Sequence, residues 1–153
     1  MEVSLRDAGP DDRELLHAVY ASTRSPELAA LGWDGATTAA FLRMQAEAQE
    51  AGYLGRHPGL RRLVVSCDGA DVGRLYLADL PGEVRVADVA LLPEWRGRGI
   101  GTRLLAEVVE GAAGRVVSLH VTPGNPAIRL YERLGFAVTA SDETSVRMER
   151  SPS

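Results

Sequence analysis

The chain has no lysine: all 17 of its basic residues are arginine. A phosphate loop of the Gly-Lys-Ser/Thr kind is therefore excluded. There is one cysteine, Cys67, so no internal disulfide can form. Within the apolar run Leu63-Val64-Val65-Ser66-Cys67 that thiol reads as a buried strand residue rather than a nucleophile. No apolar run reaches bilayer-spanning length, and no basic-then-apolar leader follows Met1. A soluble, cytoplasmic protein without a membrane partner is expected. The formal net charge of −4 lacks the basic footprint of a general nucleic-acid binder. Repeats and low-complexity segments are also missing. The 153 residues are expected to form one domain, residues 1–153, with a sizeable core.

What is present centres on residues 84–105. Val84 to Leu92 is nearly all apolar and reads as a strand buried on both faces. Pro93 cannot donate to a sheet ladder and ends it. Ile100, Leu104, Leu105, Val108, Val109 and Ala112 then recur at helical spacing, and Gly114 closes the helix. Between strand and helix lie Gly97, Gly99 and Gly101, flanked by Arg96, Arg98 and Arg103. Bare backbone N–H groups at a helix N-terminus, with arginines beside them, suit a phosphate or pyrophosphate. The spacing is not the G-x-G-x-x-G of a dinucleotide fold.

The remaining elements follow from periodicity and breakers. A first strand covers Val3–Arg6. A helix begins at Asp11 and Asp12, shows Leu15, Leu16, Val19 and Tyr20 on one face, and is broken by Ser25-Pro26. Glu27 to Trp33 reads as a loop or single turn. A second helix runs from about Gly35 to Ala51, with Ala40, Phe41, Met44 and Ala48 inward, and Gly52, Gly55, Pro58 and Gly59 form an irregular connection. Strands at Arg61–Cys67 and Val72–Leu80 join the central one as an antiparallel meander, turned by Asp68-Gly69 and Pro81-Gly82. Val116–Val121 is a fifth strand. A helix capped by Asn125, with Pro126 at its first position, runs to Leu134. Phe136–Thr139 and Ser145–Met148 pair as a final hairpin, and Ser151–Ser153 forms a loose tail.

Arg96 to Gly101 fits R-x-x-G-x-G after a strand ended by proline. Asn125-Pro126-Ala127-Ile128-Arg129-Leu130-Tyr131-Glu132-Arg133-Leu134-Gly135-Phe136 supplies a second ordered signature. Together they resemble the GNAT superfamily of acetyl-CoA-dependent N-acyltransferases, strongly over the second half of the chain and in pattern over the first. The order β-α-α-β-β-β-α-β-α-β-β agrees. The resemblance implies an α+β, three-layer GNAT fold: a mixed, mostly antiparallel sheet of six or seven strands, helices on both faces, and strands 4 and 5 splayed apart.

It further implies acetyl-CoA as co-substrate, no metal, and a primary amine of a small molecule or peptide as acceptor. Coenzyme A would be held by Val89, Ala90, Leu91, Arg96, Gly97, Arg98, Gly99, Ile100, Gly101, Thr102, Asn125 and Tyr131. Tyr131 matches the family's general acid. Asp88 and His120 are both candidates for the base, and a backbone N–H near Ala90 or Leu91 for the oxyanion. Asn125 lies one residue closer to the tyrosine than in many relatives, so it binds the pantetheine arm or only caps its helix. Trp33, Phe41 and Tyr53, with Met44, wall a substrate pocket or pack the helices on the sheet. Members often pair, which leaves a homodimer open. A binding module that senses acyl-CoA without turnover is the alternative to an enzyme. Without lysine, such an enzyme has no lysine side chain of its own to modify.

Overall fold

A computed structural model describes residues 1–152, apart from the side chain of Ser25; the last residue of the expected tail, Ser153, lies outside the described residues. The elements are β1 (Val3–Asp7), α1 (Arg13–Ala29), α2 (Gly35–Arg56), β2 (Arg61–Cys67), β3 (Ala70–Leu80), β4 (Glu83–Leu91), α3 (Ile100–Gly111), β5 (Val116–Val121), α4 (Ala127–Arg133), β6 (Ala137–Ser141) and β7 (Val146–Arg150). They build one seven-stranded sheet in the order β1-β2-β3-β4-β5-β7-β6. All neighbours are antiparallel except β4 and β5. Among the described residues no helix is long and apolar enough to cross a membrane.

The meander forms where the turn residues place it. Asp68 and Gly69 both take positive φ, 51° and 85°, as a two-residue hairpin of right-handed twist requires. Strand alternation sends Val65, Cys67, Leu75, Leu77, Val84 and Val86 to one face. There they pack against Ile100, Leu104, Leu105 and Val108 of α3, with Ile128, Tyr131 and Leu134 at the margin. The opposite face carries Val64, Arg74 and Tyr76 towards α1 and α2, where Val19 and Ala46 are buried.

Three readings of the first half need correction. Helix α1 does not break at Ser25-Pro26 but runs through Pro26 to Ala29. The proline deletes one i→i−4 bond, but only three residues of helix follow it, and buried Leu28 holds that last turn in place. Helix α2 continues through Gly52 and Gly55 to Arg56. Glycine costs about 1 kcal/mol in a helix interior, and packing of the Tyr53 ring against Tyr76, 5.7 Å between centroids, offsets it. The inner face of α2 is also different. Ala46 is buried, while Met44 is 56% exposed and Ala40 and Ala48 face solvent. The inward stripe includes Gln49 and Glu50, polar residues that find partners on the sheet.

Strand β4 is buried on both faces only at its start. Val84 and Val86 are buried, and Ala87 to Leu91 are half-buried. The cause is the strand order. Parallel pairing of β4 with β5 covers Glu83–Val86 against Val116–Leu119 and stops there. Beyond that point the strands part, as the fold reading anticipated. The register of β3 against β4 also shifts between Tyr76 and Leu77, so Ala87 is the extra residue of a bulge at the point of parting.

Candidate active site

The gap between the parted strands holds a cleft of about 210 Å³. Asp88 and the bulged Ala87 line it from β4, His120 from β5, and Asn125 and Tyr131 from the loop and helix that follow. Ala87 and Tyr131, 44 positions apart in sequence, thus line one opening only because β5 leaves β4. The two base candidates and the acid candidate are therefore brought together.

Backbone alternation fixes which amides face the gap. Leu92 N–H donates to the Val72 carbonyl of β3 at 2.8 Å, so Ala90 also turns its polar groups to β3. Val89 and Leu91 turn theirs to the edge that β5 vacates. Ala90 is thus a ladder residue, and the N–H groups facing the gap belong to its neighbours, that of Val89 also within reach of the Asp88 carboxylate. Gly73 secures this edge. A Cβ there would lie 2.3 Å from the Ala90 carbonyl oxygen, so any side chain would push β3 and β4 apart. Sequence reading passed over Gly73; an isolated glycine inside an apolar strand is the signal that marks such a close approach.

Beyond Leu91, the turn bends on Gly97 and Gly99, at φ 73° and 84°, which side-chain-bearing residues adopt only with strain. Helix α3 starts at Ile100 with Gly99 as its cap. The first intrahelical bond is Arg103 N–H to Gly99 carbonyl, 3.1 Å, which leaves the amides of Ile100, Gly101 and Thr102 for a ligand. The arginines are less uniform than their clustering suggests. Arg98 lies over the Trp95 ring, 4.8 Å from its centroid. Arg96 donates to the Leu91 carbonyl at 3.0 Å and to Ser22 Oγ at 3.3 Å, which braces the turn against β4. Arg103 donates to the Met1 carbonyl at 2.7 Å and ties α3 to the N-terminus.

Asp88 forms an ion pair with Arg74, 2.5 Å. Arg74 is 3% exposed; it also donates to Gln49 Oε1 at 2.8 Å and lies 3.8 Å from Glu50. Glu50 accepts the Tyr76 hydroxyl hydrogen and pairs with Arg62 at 3.0 Å. This buried network joins α2 to β2, β3 and β4 behind Asp88. Burial pushes the Asp88 carboxyl above its ordinary value, against the pull of Arg74. None of Gln49, Glu50, Arg62, Arg74 and Tyr76 was singled out from the sequence. Arginine and tyrosine at alternate positions of an otherwise apolar strand were the available signal.

His120 is exposed, and its Nδ1 lies 3.0 Å from Ser145 Oγ, which leaves Nε2 free. Burial, then the charges of Arg85 and Arg147, lowers its pKa from the ordinary 6.5, so the ring is neutral at pH 7. Tyr131 packs edge-on against Phe136, 6.1 Å between centroids. Burial and then the Asp88 charge raise its pKa, which keeps the phenol protonated. Asn125 Oδ1 accepts the Ala127 N–H at 2.9 Å, so it holds the first amide of α4, but from one residue before the cap position, which Pro126 takes rather than the first helical one. Of the expected pocket walls, Tyr53 lines a second opening beside the first, and burial pushes its pKa up to about 12. Trp33 and Phe41 instead stack edge-on with each other, 5.2 Å apart, at the start of α2, and line neither opening.

A family model for the Acetyltransferase (GNAT) domain matches residues 58–138. The N-alpha-acetyltransferase RimI of Mycobacterium tuberculosis is 44% identical over 57 residues, covering 37% of this chain and 36% of that protein. The L-amino acid N-acetyltransferase AaaT of Escherichia coli is 31% identical over 94 residues, 56% of this chain and 58% of that protein. The chain thus spans less than two thirds of the length of these curated relatives. The crystal structure of PaiA N-acetyltransferase from Thermoplasma acidophilum, in complex with coenzyme A, superposes with a TM-score of 0.72 over 99% of both chains at 20% identity, a likeness of fold.

Proposed function

The chain belongs to the GNAT acetyltransferase domain family, and from that membership we propose that it transfers an acetyl group from acetyl-CoA to a primary amine by direct attack in a ternary complex. One observation carries the reading: β4 and β5 part after Val86 and Leu119, and Tyr131, His120 and Asp88 all face the resulting cleft. The freed edge of β4 suits the pantetheine arm as a pseudo-strand, with Val89 and Leu91 supplying its amide partners. The glycine turn and the first amides of α3 suit the pyrophosphate.

An alkylamine with a pKa near 10.4 pays about three pH units, roughly 4–5 kcal/mol, to be neutral at pH 7. His120 Nε2 takes the amine proton, since its ring is neutral and Asp88 is committed to Arg74. The amine nitrogen bonds to the thioester carbonyl carbon, and the oxyanion is held by the N–H of Val89 or Leu91. The carbon–sulfur bond then breaks, the added nitrogen gives its second proton to water as the amide forms, and Tyr131 passes its proton to the departing thiolate and regains one from solvent. Asp88 acts as a positioning residue that holds the bulged strand.

Thermal unfolding with and without acetyl-CoA tests the premise. Ligand at a hundred times its Kd adds about 2.7 kcal/mol, a rise of roughly 5–10 °C at this size. The rise should vanish in Gly99→Glu, which sets a carboxylate and a strained φ in the phosphate site. No rise in the parent protein at any concentration would remove the cofactor site and the reaction with it.

A further inference from the structure

A second opening, about 380 Å³, meets the first at Val86, Ala87 and His120 and lies on the α2 side of the sheet. Tyr53, Arg56 and His57 line it from the end of α2, and Arg85 from β4. Among the described residues no carboxylate lines it. Arg56 lies over the Tyr53 ring, 5.4 Å from its centroid, and has no carboxylate partner among the described residues. Arg85 donates through Nε to Ser118 Oγ at 2.7 Å and through Nη2 to Glu83 at 3.1 Å. That same Glu83 oxygen also serves Arg147 at 3.1 Å and the Ser118 hydroxyl, so one carboxylate is divided between two guanidiniums.

The other nearby carboxylates are occupied. Asp88 is paired with Arg74, Glu149 with Arg147 at 2.7 Å, and Asp142 accepts the backbone amides of Thr144 and Ser145 at 2.8 and 2.9 Å. The charges of Arg85 and Arg147 also weigh more on His120 than those of Asp142 and Glu83. An approaching amine therefore meets a cationic wall. A polyamine would bring a second positive charge against Arg56 and Arg85, whereas a carboxylate would complete them with charge-assisted hydrogen bonds.

We propose that the acceptor is an amine that also carries a carboxylate, as an amino acid does, and that Arg56 and Arg85 hold this carboxylate while the amine enters the parted strands beside Ala87. The chain's overall negative charge points the other way, towards a cationic acceptor, but the local wall governs binding because exposed charges beyond about 10 Å are screened. This inference rests on the acetyl-transfer reading.

The test is thiol release from acetyl-CoA with L-amino acids, the matching amino acid amides, and spermidine. Rates are compared per neutral amine, because an amide's amine loses its proton more readily. Acids should exceed their amides about 10- to 100-fold in kcat/KM, the range of a charged hydrogen-bonded pair. Arg56→Gln should collapse that ratio towards unity by raising KM for the acids, and Arg56→Lys should restore part of it. Retention of the acetyl-CoA-induced rise in Tm shows that both variants are folded. Amides or spermidine turned over as well as the acids, or a ratio unchanged in Arg56→Gln, would overturn the proposal and leave acetyl transfer standing. No release with any amine, while acetyl-CoA still raises Tm, would remove the catalytic reading and this inference with it.

Discussion

Under α3 and α4 the sheet buries leucine, isoleucine and valine; under α1 and α2 it buries a guanidinium, a phenol and parts of two carboxylates. The first face is held by area removed from water, about 25 cal/mol per Å², and tolerates approximate shapes. The second is held by a network in which each member is paired by another, so its stability is concentrated in a few groups. The cleft between the parted strands lies at the seam. Helices α3 and α4 flank it on the apolar face, and the end of α2 flanks its neighbouring opening on the polar face. On the reading proposed above, the cofactor would rest on the apolar side and the acceptor would meet the charges of the other.

The largest effect should come from breaking the polar face at its centre. Arg74→Ala leaves Asp88 without its counter-charge and Glu50 with Arg62 alone, at a cost of about 3–5 kcal/mol, or a fall in Tm on the order of 10 °C. Leu104→Ala on the apolar face should cost about 2–5 kcal/mol. The two are told apart by a second change. Adding Asp88→Ala should return part of the Arg74→Ala loss, because one buried charge is no longer unpaired, and should return nothing to Leu104→Ala, which it does not touch. Calorimetry of the six proteins (parent, three single and two double variants) decides it; strict additivity in both backgrounds would mean that the network is only packing.

Next is Tyr131→Phe, which keeps the ring contact with Phe136 and deletes the proton donor. Turnover should fall about 100-fold, with the acetyl-CoA-induced rise in Tm preserved. Equal turnover in the two proteins would remove the acid role.

His120 is tested by slope rather than by size. In the parent protein, log kcat/KM should rise with a slope near two below the His120 pKa, since amine and imidazole must both lose a proton, and near one above it. That break lies below pH 6.5, because burial and the neighbouring arginines depress the pKa. His120→Asn should show a slope near one throughout. The same shift has a sign for stability: the folded state binds the proton less readily than the unfolded chain, so stability is lost as pH falls from 6.5 through the depressed value. A parent profile without a break would leave the amine to lose its proton in water.

The smallest effect probes the length of α2. Gly52 is helical, and a Cβ there would meet only Arg56 Nη1, at an ordinary 3.7 Å. Gly52→Ala should therefore stabilise by about 0.5–1 kcal/mol, a rise of roughly 2 °C. A fall would be the result of a connection rather than a helix at this position.

Much of the glycine turn and its helix was legible because its determinants are local. The helical face from Ile100 to Ala112, the glycines of the turn and the proline that ends β4 all lie within thirty residues, and each acts through backbone geometry or a fixed period. The polar face under α2 was not, because its pairs are distant. Glu50 meets Tyr76 across 26 positions and Arg85 meets Ser118 across 33. Trp33, Phe41 and Met44 illustrate the converse error. They are apolar and lie in the right segment, but the helix turns its polar stripe inward and leaves Met44 in solvent.

By itself the sequence determined the order and type of the elements, the turn that suits a phosphate, and the identity of the phenol beside the cleft. These follow from local periods, from the steric freedom of glycine and from the constraint of proline. Only the tertiary structure decided where β5 leaves β4, which edge amides are thereby freed, that Asp88 is bound to Arg74 while His120 is not so bound, and that Arg56 and Arg85 line the same opening. Those outcomes depend on sheet register and on charges paired across long separations, and a buried charge takes whichever partner the fold brings within reach, whatever its distance along the chain.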